Sequence, residues 1–248
     1  MLKHLLPIFP EHTCYCEPFA GGLAVLLAKP RSKVEIVNDL NGDLVALYRC
    51  VNRHLPEMLR LISMEISSRE NLRDYVRQPG LTDMERATRY YIRNRISFGG
   101  QGDSFAVSKT HGGAGFFKTT ASELLGKVHD RLEGVAIENT SYERILKNYD
   151  SPSTLFFMDP PYVGASPGAY EGWAEEDVLN LVKEISKLQG KFIVTLNDSP
   201  FVREAFKDFP MTSHTSVNGL TKNRKNPLKF SELIIRNFDA KETSNGNK

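Results

Sequence analysis

Short runs of apolar residues alternate with polar stretches along both ends of this chain. Runs of about five apolar, β-branched or aromatic residues are typical of buried strands. They predict strands at residues 13–16, 34–37, 135–138, 154–158, 191–196, 212–217 and 231–236. Apolar residues three and four positions apart predict helices, most clearly at 175–188, and a helix at 23–28 follows the first strand. Because strands and helices alternate, the pattern predicts an α/β fold.

The middle of the chain interrupts this alternation. Helical patterns cover residues 54–67, 70–76 and 83–94, and residues 99–115 are rich in glycine. We therefore predict one α/β domain formed by residues 1–50 and 129–248. Residues 51–128 are predicted to be a helical insertion in that domain.

Composition narrows the possible classes of protein. The 248 residues carry a net charge of +2, so any nucleic-acid surface must come from local clustering of cations. No run of 18 apolar residues is present, and the start of the chain lacks the pattern of a signal peptide. Three cysteines, Cys14, Cys16 and Cys50, favour reduced core thiols over a zinc site. We expect a cytoplasmic protein with no membrane partner and no metal.

The most informative segment follows the predicted strand at 154–158, and it consists of Asp159, Pro160, Pro161 and Tyr162. Ligands of open α/β sheets bind at the carboxyl ends of the strands. Proline fixes φ and has no N–H group, so the carbonyls of this loop are free to point into a site. A carboxylate, a carbonyl and an aromatic ring suit a planar base that carries an exocyclic amino group. The alternative is an ordinary turn in which Tyr162 covers the core.

A second segment joins the first predicted strand to the helix after it, and it consists of Glu17, Pro18, Phe19, Ala20, Gly21 and Gly22. Adjacent glycines allow a ligand to approach the backbone closely. Asp39 ends the second predicted strand, at the position where an acidic residue binds a ribose in dinucleotide-binding folds. The glycines do not form the G-x-G-x-x-G pattern, which disfavours nicotinamide and flavin. Asp39 has the alternative role of capping a helix that starts near Asp43.

Together these segments resemble the Dam-type (DPPY, α-group) adenine-N6 DNA methyltransferases, in their phage and prophage branch. The resemblance covers nearly the whole chain and also includes residues 94–100, 197–200, 216–219 and 232–235. It implies a Rossmann-like, S-adenosylmethionine-dependent methyltransferase sheet with a target-recognition insertion. It also implies a double-stranded DNA substrate whose target base is flipped out of the helix.

The resemblance assigns roles to residues. Asp159, Pro160, Pro161 and Tyr162 match the catalytic loop. The residues that match the S-adenosylmethionine site are Glu17, Pro18, Phe19, Ala20, Gly21, Gly22, Asp39, Ser141 and Tyr142.

Two departures from the family pattern bear on the cofactor. Ser141 stands where the family often has an acidic residue. The family's aromatic-x-Gly-Gly-Lys segment is not seen ahead of this region, because the chain opens at Met1-Leu2-Lys3. We expect both departures to weaken cofactor affinity.

Two clusters of cations predict contacts with DNA. Arg86, Arg89 and Arg93 share one face of the predicted helix at 83–94. The residues predicted to contact DNA, including a second cluster near residue 224, are Arg89, Arg93, Arg95, Phe98, Lys222 and Arg224. A basic helix leading into an aromatic loop suits phosphate contacts and insertion into a base stack. Solvated surface positions are the alternative for both clusters.

The sequence thus predicts a monomeric, site-specific adenine-N6 DNA methyltransferase. Cytosine-N4 methylation is an alternative, since the same loop serves any exocyclic amine. A DNA-binding prophage remnant with an impaired cofactor site is another, and a dinucleotide oxidoreductase explains the catalytic loop least well. Asn197 and Asp198 end a further strand, where they either line the pocket or form a local turn.

Overall fold

A computed structural model describes residues 1–97, 105, 116–163, 173–217 and 229–239. The chain divides into two compact units. The first comprises residues 1–38 and 140–248, and the second comprises residues 39–139.

The elements alternate in the order that the apolar pattern predicts at both ends of the chain. The strands are β1 (Cys14–Glu17), β2 (Val34–Asn38), β3 (Ala136–Glu138), β4 (Thr154–Met158), β5 (Lys191–Asn197), β6 (Met211–Val217) and β7 (Lys229–Arg236). The α-helices are α1 (Leu2–Leu5), α2 (Ala24–Ala28), α3 (Gly42–Met64), α4 (Arg69–Arg77), α5 (Asp83–Ile96), α6 (Phe116–Leu132), α7 (Tyr142–Tyr149), α8 (Glu175–Ile185) and α9 (Pro200–Ala205). A short 3₁₀ helix, Leu6–Ile8, follows α1.

The strands of the first unit form an open sheet in the order β2-β1-β4-β5-β7-β6. β1 pairs in parallel with β2 and β4, and β4 pairs in parallel with β5. β7 is antiparallel to both β5 and β6. This is a Rossmann-like α/β fold, and the predicted fold class is confirmed.

The sheet has a topological switch point between β1 and β4. From β1 the chain passes to β2 on one side, and it later returns to β4 on the other side. Ligands of open α/β sheets bind outside the carboxyl ends of the strands at such a point. β1 leads into the predicted glycine turn and β4 leads into the predicted catalytic loop. Both predicted loops therefore start at this place in the first unit.

The core of the first unit is built from the central strands and the helices that cover them. All five residues of β4 are buried, which explains why its sequence is a continuous apolar run instead of an alternating one. α8 packs its apolar stripe, Val178, Leu181 and Ile185, into the same core as Phe156 and Phe192.

The second unit is mainly helical and has a core of its own. α3 packs against α5 and α6, and α4 packs against α5. Apolar residues spaced three or four positions apart on these helices fill the core. They include Val51, Met58, Ile62, Ala87 and Ile92. The unit is wider than the predicted insertion at 51–128, and the recognition role of that insertion stays a prediction.

One sequence-based prediction in the second unit is wrong in its boundaries. The helix predicted at 54–67 is the later part of α3, which starts at Gly42 and ends at Met64. The backbone of His54 departs from helical values, at φ −135° and ψ 30°. Pro56 explains the break, because proline has no N–H group and crowds the carbonyl of the preceding turn. The apolar pattern restarts after this break, so it predicted a new helix there.

Among the residues that the structure describes, no helix is long and apolar enough to span a membrane. The described residues also include no group of three or more His, Cys, Asp or Glu side chains placed to hold a metal ion.

Candidate active site

The predicted catalytic loop begins where the buried strand β4 ends. Asp159 is the first residue of the loop and is accessible to solvent, whereas Pro160 is buried. Neither Pro160 nor Pro161 has an N–H group to donate. The burial of β4 holds the start of the loop in place at the switch point, while the carboxylate of Asp159 is presented at the strand end.

The Asp159 carboxylate is oriented by the neighbouring strand β5. Thr195 Oγ1 donates a hydrogen bond of 2.6 Å to Asp159 Oδ1. The pKa of Asp159 is raised to about 6, chiefly because the surrounding protein displaces part of the water that would hydrate the charged carboxylate. The hydrogen bond from Thr195 opposes this rise, and the charge of Glu232 adds to it. Asp159 is therefore a carboxylate near neutral pH, but its ionisation is costly enough to favour partners that donate hydrogen bonds.

Tyr162 is held through its hydroxyl group. The hydroxyl donates a hydrogen bond to Glu232 Oε1 on β7, and burial together with this bond raises the pKa of the phenol far above its ordinary value. The half-buried ring packs against the core of the first unit. Because the hydroxyl is already bonded, the face of the ring is the part of Tyr162 that is left to contact a ligand.

The glycine turn follows β1 as predicted. Gly21 has φ 45°, a left-handed conformation that glycine adopts without strain. A side-chain carbon added at Gly22 would meet no described atom within 4 Å, so internal packing does not require a glycine there. Room beside the backbone at Gly22 fits a turn that a ligand approaches closely.

Glu17, the last residue of β1, is buried beneath this turn. Its carboxylate accepts a hydrogen bond of 2.7 Å from the hydroxyl of Tyr15. Burial raises the pKa of Glu17 to about 7, against the effect of this bond, and the charge of Asp159 raises it further. Two carboxyl groups of raised pKa, Glu17 and Asp159, thus lie on adjacent strands of the first unit.

Asn38, the last residue of β2, joins the glycine turn to the segment before α7. Its side-chain amide donates to the carbonyls of Pro18 and Thr140, at 2.9 and 3.0 Å. Its side-chain oxygen accepts from the backbone N–H of Thr140 at 2.9 Å. In the sequence, the signal for this linking role is an amide side chain at the end of an apolar strand. A buried amide at such a position requires hydrogen-bond partners.

Three aromatic rings cluster beside the glycine turn. The ring centroids of Phe19 and Tyr142 are 5.2 Å apart, and Trp173 lies 5.5 Å from Phe19 and 6.1 Å from Tyr142. All three residues are partly exposed at the edge of the core. Phe19 and Tyr142 belong to the predicted cofactor site, whereas Trp173 was not predicted. The cluster offers apolar ring surface to a planar ligand.

Asp39 follows β2, as predicted, but it is not the cap of α3. Asn41 is the capping residue, and its side chain accepts from the N–H groups of Asp43 and Leu44. Asp39 is buried, and its Oδ1 accepts a hydrogen bond of 2.9 Å from the N–H of Asn41. The capping alternative is thereby replaced by a short turn that Asp39 itself stabilises.

Ser141 precedes α7 and is exposed, and its side chain makes no capping hydrogen bond to that helix. Asp198 is tied into a local arrangement, because its carboxylate binds Arg203 at 2.6 Å and accepts a hydrogen bond from Ser213 at 2.8 Å. These contacts favour the local turn over the pocket for Asp198. Asn197 differs, since its buried side-chain oxygen has no hydrogen-bond partner among the described residues.

The predicted DNA-contacting arginines lie on α5 in the second unit. Arg89 donates to the carbonyl of Gln78 at 3.0 Å and lies 5.3 Å from the centre of the Tyr75 ring. Arg95 is exposed and reaches Thr120 Oγ1 at 3.3 Å. Arg93 has a buried Nε atom with no hydrogen-bond partner among the described residues.

Arg86, which shares a face of α5 with Arg89 and Arg93, forms an ion pair with Asp43 at 2.7 Å. The face is thus partly used for contacts within its own unit. The other residues predicted to contact DNA, Phe98, Lys222 and Arg224, lie outside the described residues.

An open α/β sheet with ligand-binding loops on both sides of its switch point is typical of enzymes that bind nucleotides or nucleotide-like cofactors. The family of D12 class N6 adenine-specific DNA methyltransferases matches residues 1–223 of this chain. The chain therefore belongs to this family, and the resemblance seen in the sequence is confirmed. It is an adenine-specific DNA methyltransferase.

Individual relatives agree with the family. The type II methyltransferase M1.LlaDCHI of Lactococcus lactis subsp. cremoris is 25% identical over 265 aligned residues, which cover 96% of this chain and 91% of the relative. A DNA N-6-adenine-methyltransferase of Escherichia phage P1 is 22% identical over 84% of this chain. That alignment covers 30% of the phage protein.

Among solved structures, an rRNA methylase from Streptococcus thermophilus aligns with 95% of this chain and 97% of its own, at 8% identity and a TM-score of 0.37. A similarity of this size supports no conclusion about fold or function.

Proposed function

We propose that this adenine-specific DNA methyltransferase acts on a short site in double-stranded DNA and uses the loop Asp159–Tyr162 as its catalytic loop. The observation that carries the proposal is the carboxylate of Asp159 at the carboxyl end of β4, held by Thr195 beside the switch point. Ligand-binding sites of open α/β sheets lie at this position.

The chemistry of adenine explains why such a loop is needed. The N6 nitrogen is conjugated with the ring, so its lone pair is a poor nucleophile. The Asp159 carboxylate and the Pro160 carbonyl are two acceptors, one for each N–H of the amino group. When these two acceptors receive hydrogen bonds from both N–H groups, the N6 nitrogen becomes more pyramidal. Its lone pair is then available to attack the methyl group. The loop therefore acts by positioning and electrostatic preorganisation.

The target adenine has to leave the base stack before this loop reaches it. We propose that the ring of Tyr162 stacks on the flipped base, because its hydroxyl group is engaged by Glu232 and its face is the available surface. Stacking of a base on an aromatic side chain is worth on the order of 1–3 kcal/mol. This free energy offsets part of the cost of unstacking the base from DNA.

We propose S-adenosylmethionine as the methyl donor, since the family transfers methyl groups. When bound, it would supply a methyl carbon on a positively charged sulfur, and forming the N6–C bond would break the C–S bond, leave the sulfur neutral and require N6 to release one proton. The residues proposed to hold it are Glu17, Pro18, Phe19, Ala20, Gly21, Gly22, Asp39, Ser141 and Tyr142.

The described residues fit such a cofactor. Room beside Gly22 lets the cofactor approach the backbone, and the Phe19, Tyr142 and Trp173 rings offer surface to an adenine ring. The ribose role of Asp39 is proposed from its place directly after β2, where dinucleotide-binding folds carry an acidic residue.

DNA binding is proposed for Arg89, Arg93 and Arg95 on α5, and for Phe98, Lys222 and Arg224. Arg95 is the best placed of the three arginines, because it is exposed, whereas Arg89 and Arg93 are partly buried. A net charge of +2 means that such local clusters have to supply the attraction for phosphates.

Transfer of a labelled methyl group from S-adenosylmethionine to duplex DNA tests the proposed catalytic loop. Asp159→Ala removes one preorganised acceptor, and we expect the rate to fall by about a hundredfold or more. Its affinity for S-adenosylmethionine, measured by calorimetry, is expected to change little. Asp198→Ala is the matched control, because it removes a carboxylate at the end of the neighbouring strand that is bound to Arg203. A rate near wild type for Asp159→Ala, or an equal loss in the control, contradicts the assignment.

A further inference from the structure

Both functional side chains of the Asp159–Tyr162 loop are held by side chains from other strands. Thr195 on β5 donates to the carboxylate of Asp159 at 2.6 Å. Glu232 on β7 accepts the hydroxyl hydrogen of Tyr162. Thr195 is 2% exposed and Glu232 is 9% exposed, so both contacts are largely shielded from water.

The sheet topology brings these partners to the loop. Met158 at the end of β4 lies opposite Val194 on β5, so the next residue of each strand places Thr195 beside Asp159. β7 runs antiparallel to β5, and Glu232 near its start lies opposite Asn197 at the end of β5. Because β7 is antiparallel, Glu232 lies at the carboxyl edge of the parallel strands, although it is 70 positions after Tyr162 in the sequence.

The two contacts differ in what they fix. A threonine hydroxyl has one hydrogen to donate, so Thr195 binds one oxygen of Asp159 and sets the plane of the carboxylate. The other oxygen is left to accept a hydrogen bond from a ligand. Glu232 fixes the hydroxyl end of Tyr162 and thereby the tilt of the ring that would stack on a base.

We propose that Thr195 and Glu232 are positioning residues for methyl transfer, with Thr195 orienting the acceptor for the adenine amino group and Glu232 orienting the stacking ring. The inference rests on the catalytic roles proposed above for Asp159 and Tyr162. Neither partner is proposed to touch the substrate, and each acts through the side chain that it holds.

Charge gives the two partners opposite effects on Asp159. The groups that face Asp159 are Thr195, Tyr162, and the carboxyl groups of Glu232 and Glu17. The hydrogen bond from Thr195 lowers the pKa of Asp159, whereas the charge of Glu232 raises it. The ionised carboxylate of Asp159 is a stronger acceptor for the amino group than the neutral acid, so the rate should fall as Asp159 is protonated. The acidic limb of the pH–rate profile is the range in which the rate falls as Asp159 is protonated. Loss of the Thr195 hydroxyl should move this limb to higher pH, and loss of the Glu232 charge should move it to lower pH.

Single-turnover rates measured from about pH 5 to pH 8 test this inference. Thr195→Val keeps the size of the side chain, and we expect a rate lowered about tenfold and an acidic limb moved to higher pH. Thr195→Ser keeps the hydroxyl group, so it should show the wild-type rate and the wild-type position of the acidic limb. Glu232→Gln still accepts from Tyr162 but carries no charge, so its acidic limb should move to lower pH. The affinity for S-adenosylmethionine should stay close to wild type in all three variants.

Thr154→Val is the matched control for loss of a buried threonine hydroxyl. Thr154 is 1% exposed and donates a hydrogen bond of 2.8 Å to the carbonyl of Tyr149, at the opposite end of β4 from Asp159. It should lower stability without moving the acidic limb. If Thr195→Val does not fold, Glu232→Gln still decides the question through the position of its limb.

The results separate this inference from the function on which it rests. Suppose that Asp159→Ala is inactive, but Thr195→Val and Glu232→Gln both keep the wild-type rate and the wild-type acidic limb of the pH–rate profile. This result overturns the positioning roles and leaves the proposed catalytic loop in place. A limb that moves the same way in both variants also overturns them. Full activity of Asp159→Ala overturns the proposed catalytic loop itself.

Discussion

At the scale of single residues, the site depends on two carboxyl groups whose ionisation the surrounding protein opposes. Glu17 and Asp159 end neighbouring strands, and burial raises the pKa of both, to about 7 and about 6. Their types and positions at strand ends were visible in the sequence. Their partners were not, because Thr195 and Glu232 reach Asp159 and Tyr162 only through strand pairing.

The raised pKa of Glu17 predicts a dependence of stability on pH. Its ordinary pKa is 4.5 and its folded pKa is about 7, so the folded state binds the proton more tightly than the unfolded state. The resulting stability is fully present below pH 4.5 and is lost as the pH rises through 7. A shift of this size corresponds to roughly 3 kcal/mol for a buried group.

Urea unfolding at pH 5 and pH 8, without ligands, measures this effect in the wild type and in Glu17→Gln. The wild type should lose more stability than the variant between the two pH values, because glutamine does not titrate. Asp159 titrates in both proteins, so the difference between them reports Glu17 together with its coupling to Asp159. The same pH dependence in both would show that Glu17 does not titrate as described.

At the scale of helices and strands, the period of the apolar residues predicted most elements at both ends of the chain. β4 occupies residues 154–158 as predicted, and α8 begins at Glu175 as predicted but ends at Ile185, earlier than expected. α6 was not predicted, because it directly follows the glycine-rich stretch at 99–115 and its own sequence has no clear apolar period. The position of β7 between β5 and β6 is a matter of tertiary pairing that no local pattern reveals.

The link that Asn38 makes between two segments predicts a large effect on stability. Asn38→Ala leaves the N–H of Thr140 and the carbonyls of Pro18 and Thr140 without the partner they have now. We expect a loss of about 2–3 kcal/mol, since unsatisfied buried groups are costly. Asn41→Ala, which removes one helix cap, should cost about 1 kcal/mol. Chemical denaturation of both variants measures the difference, and equal losses would show that Asn38 does not hold the two segments together.

At the scale of the whole molecule, a net charge of +2 makes DNA binding depend on where cations cluster. Replacing Arg89 and Arg95 with glutamine should weaken binding to duplex DNA. It should also reduce the slope of log K against log salt by about 0.9 for each phosphate contact that is lost. Arg60→Gln is the control, because this exposed arginine is paired with Glu57 outside the predicted cluster. An unchanged slope in the double variant would place both arginines away from the DNA.

Identification of the methylated base tests the central claim most directly. Duplex DNA is incubated with S-adenosylmethionine and the wild-type protein, Asp159→Ala or Asp198→Ala, then digested to nucleosides that are quantified by mass spectrometry. We predict N6-methyl-2′-deoxyadenosine with the wild type and with Asp198→Ala, and at least a hundredfold less with Asp159→Ala. N4-methyl-2′-deoxycytidine in place of N6-methyl-2′-deoxyadenosine, or undiminished product with Asp159→Ala, would contradict the account.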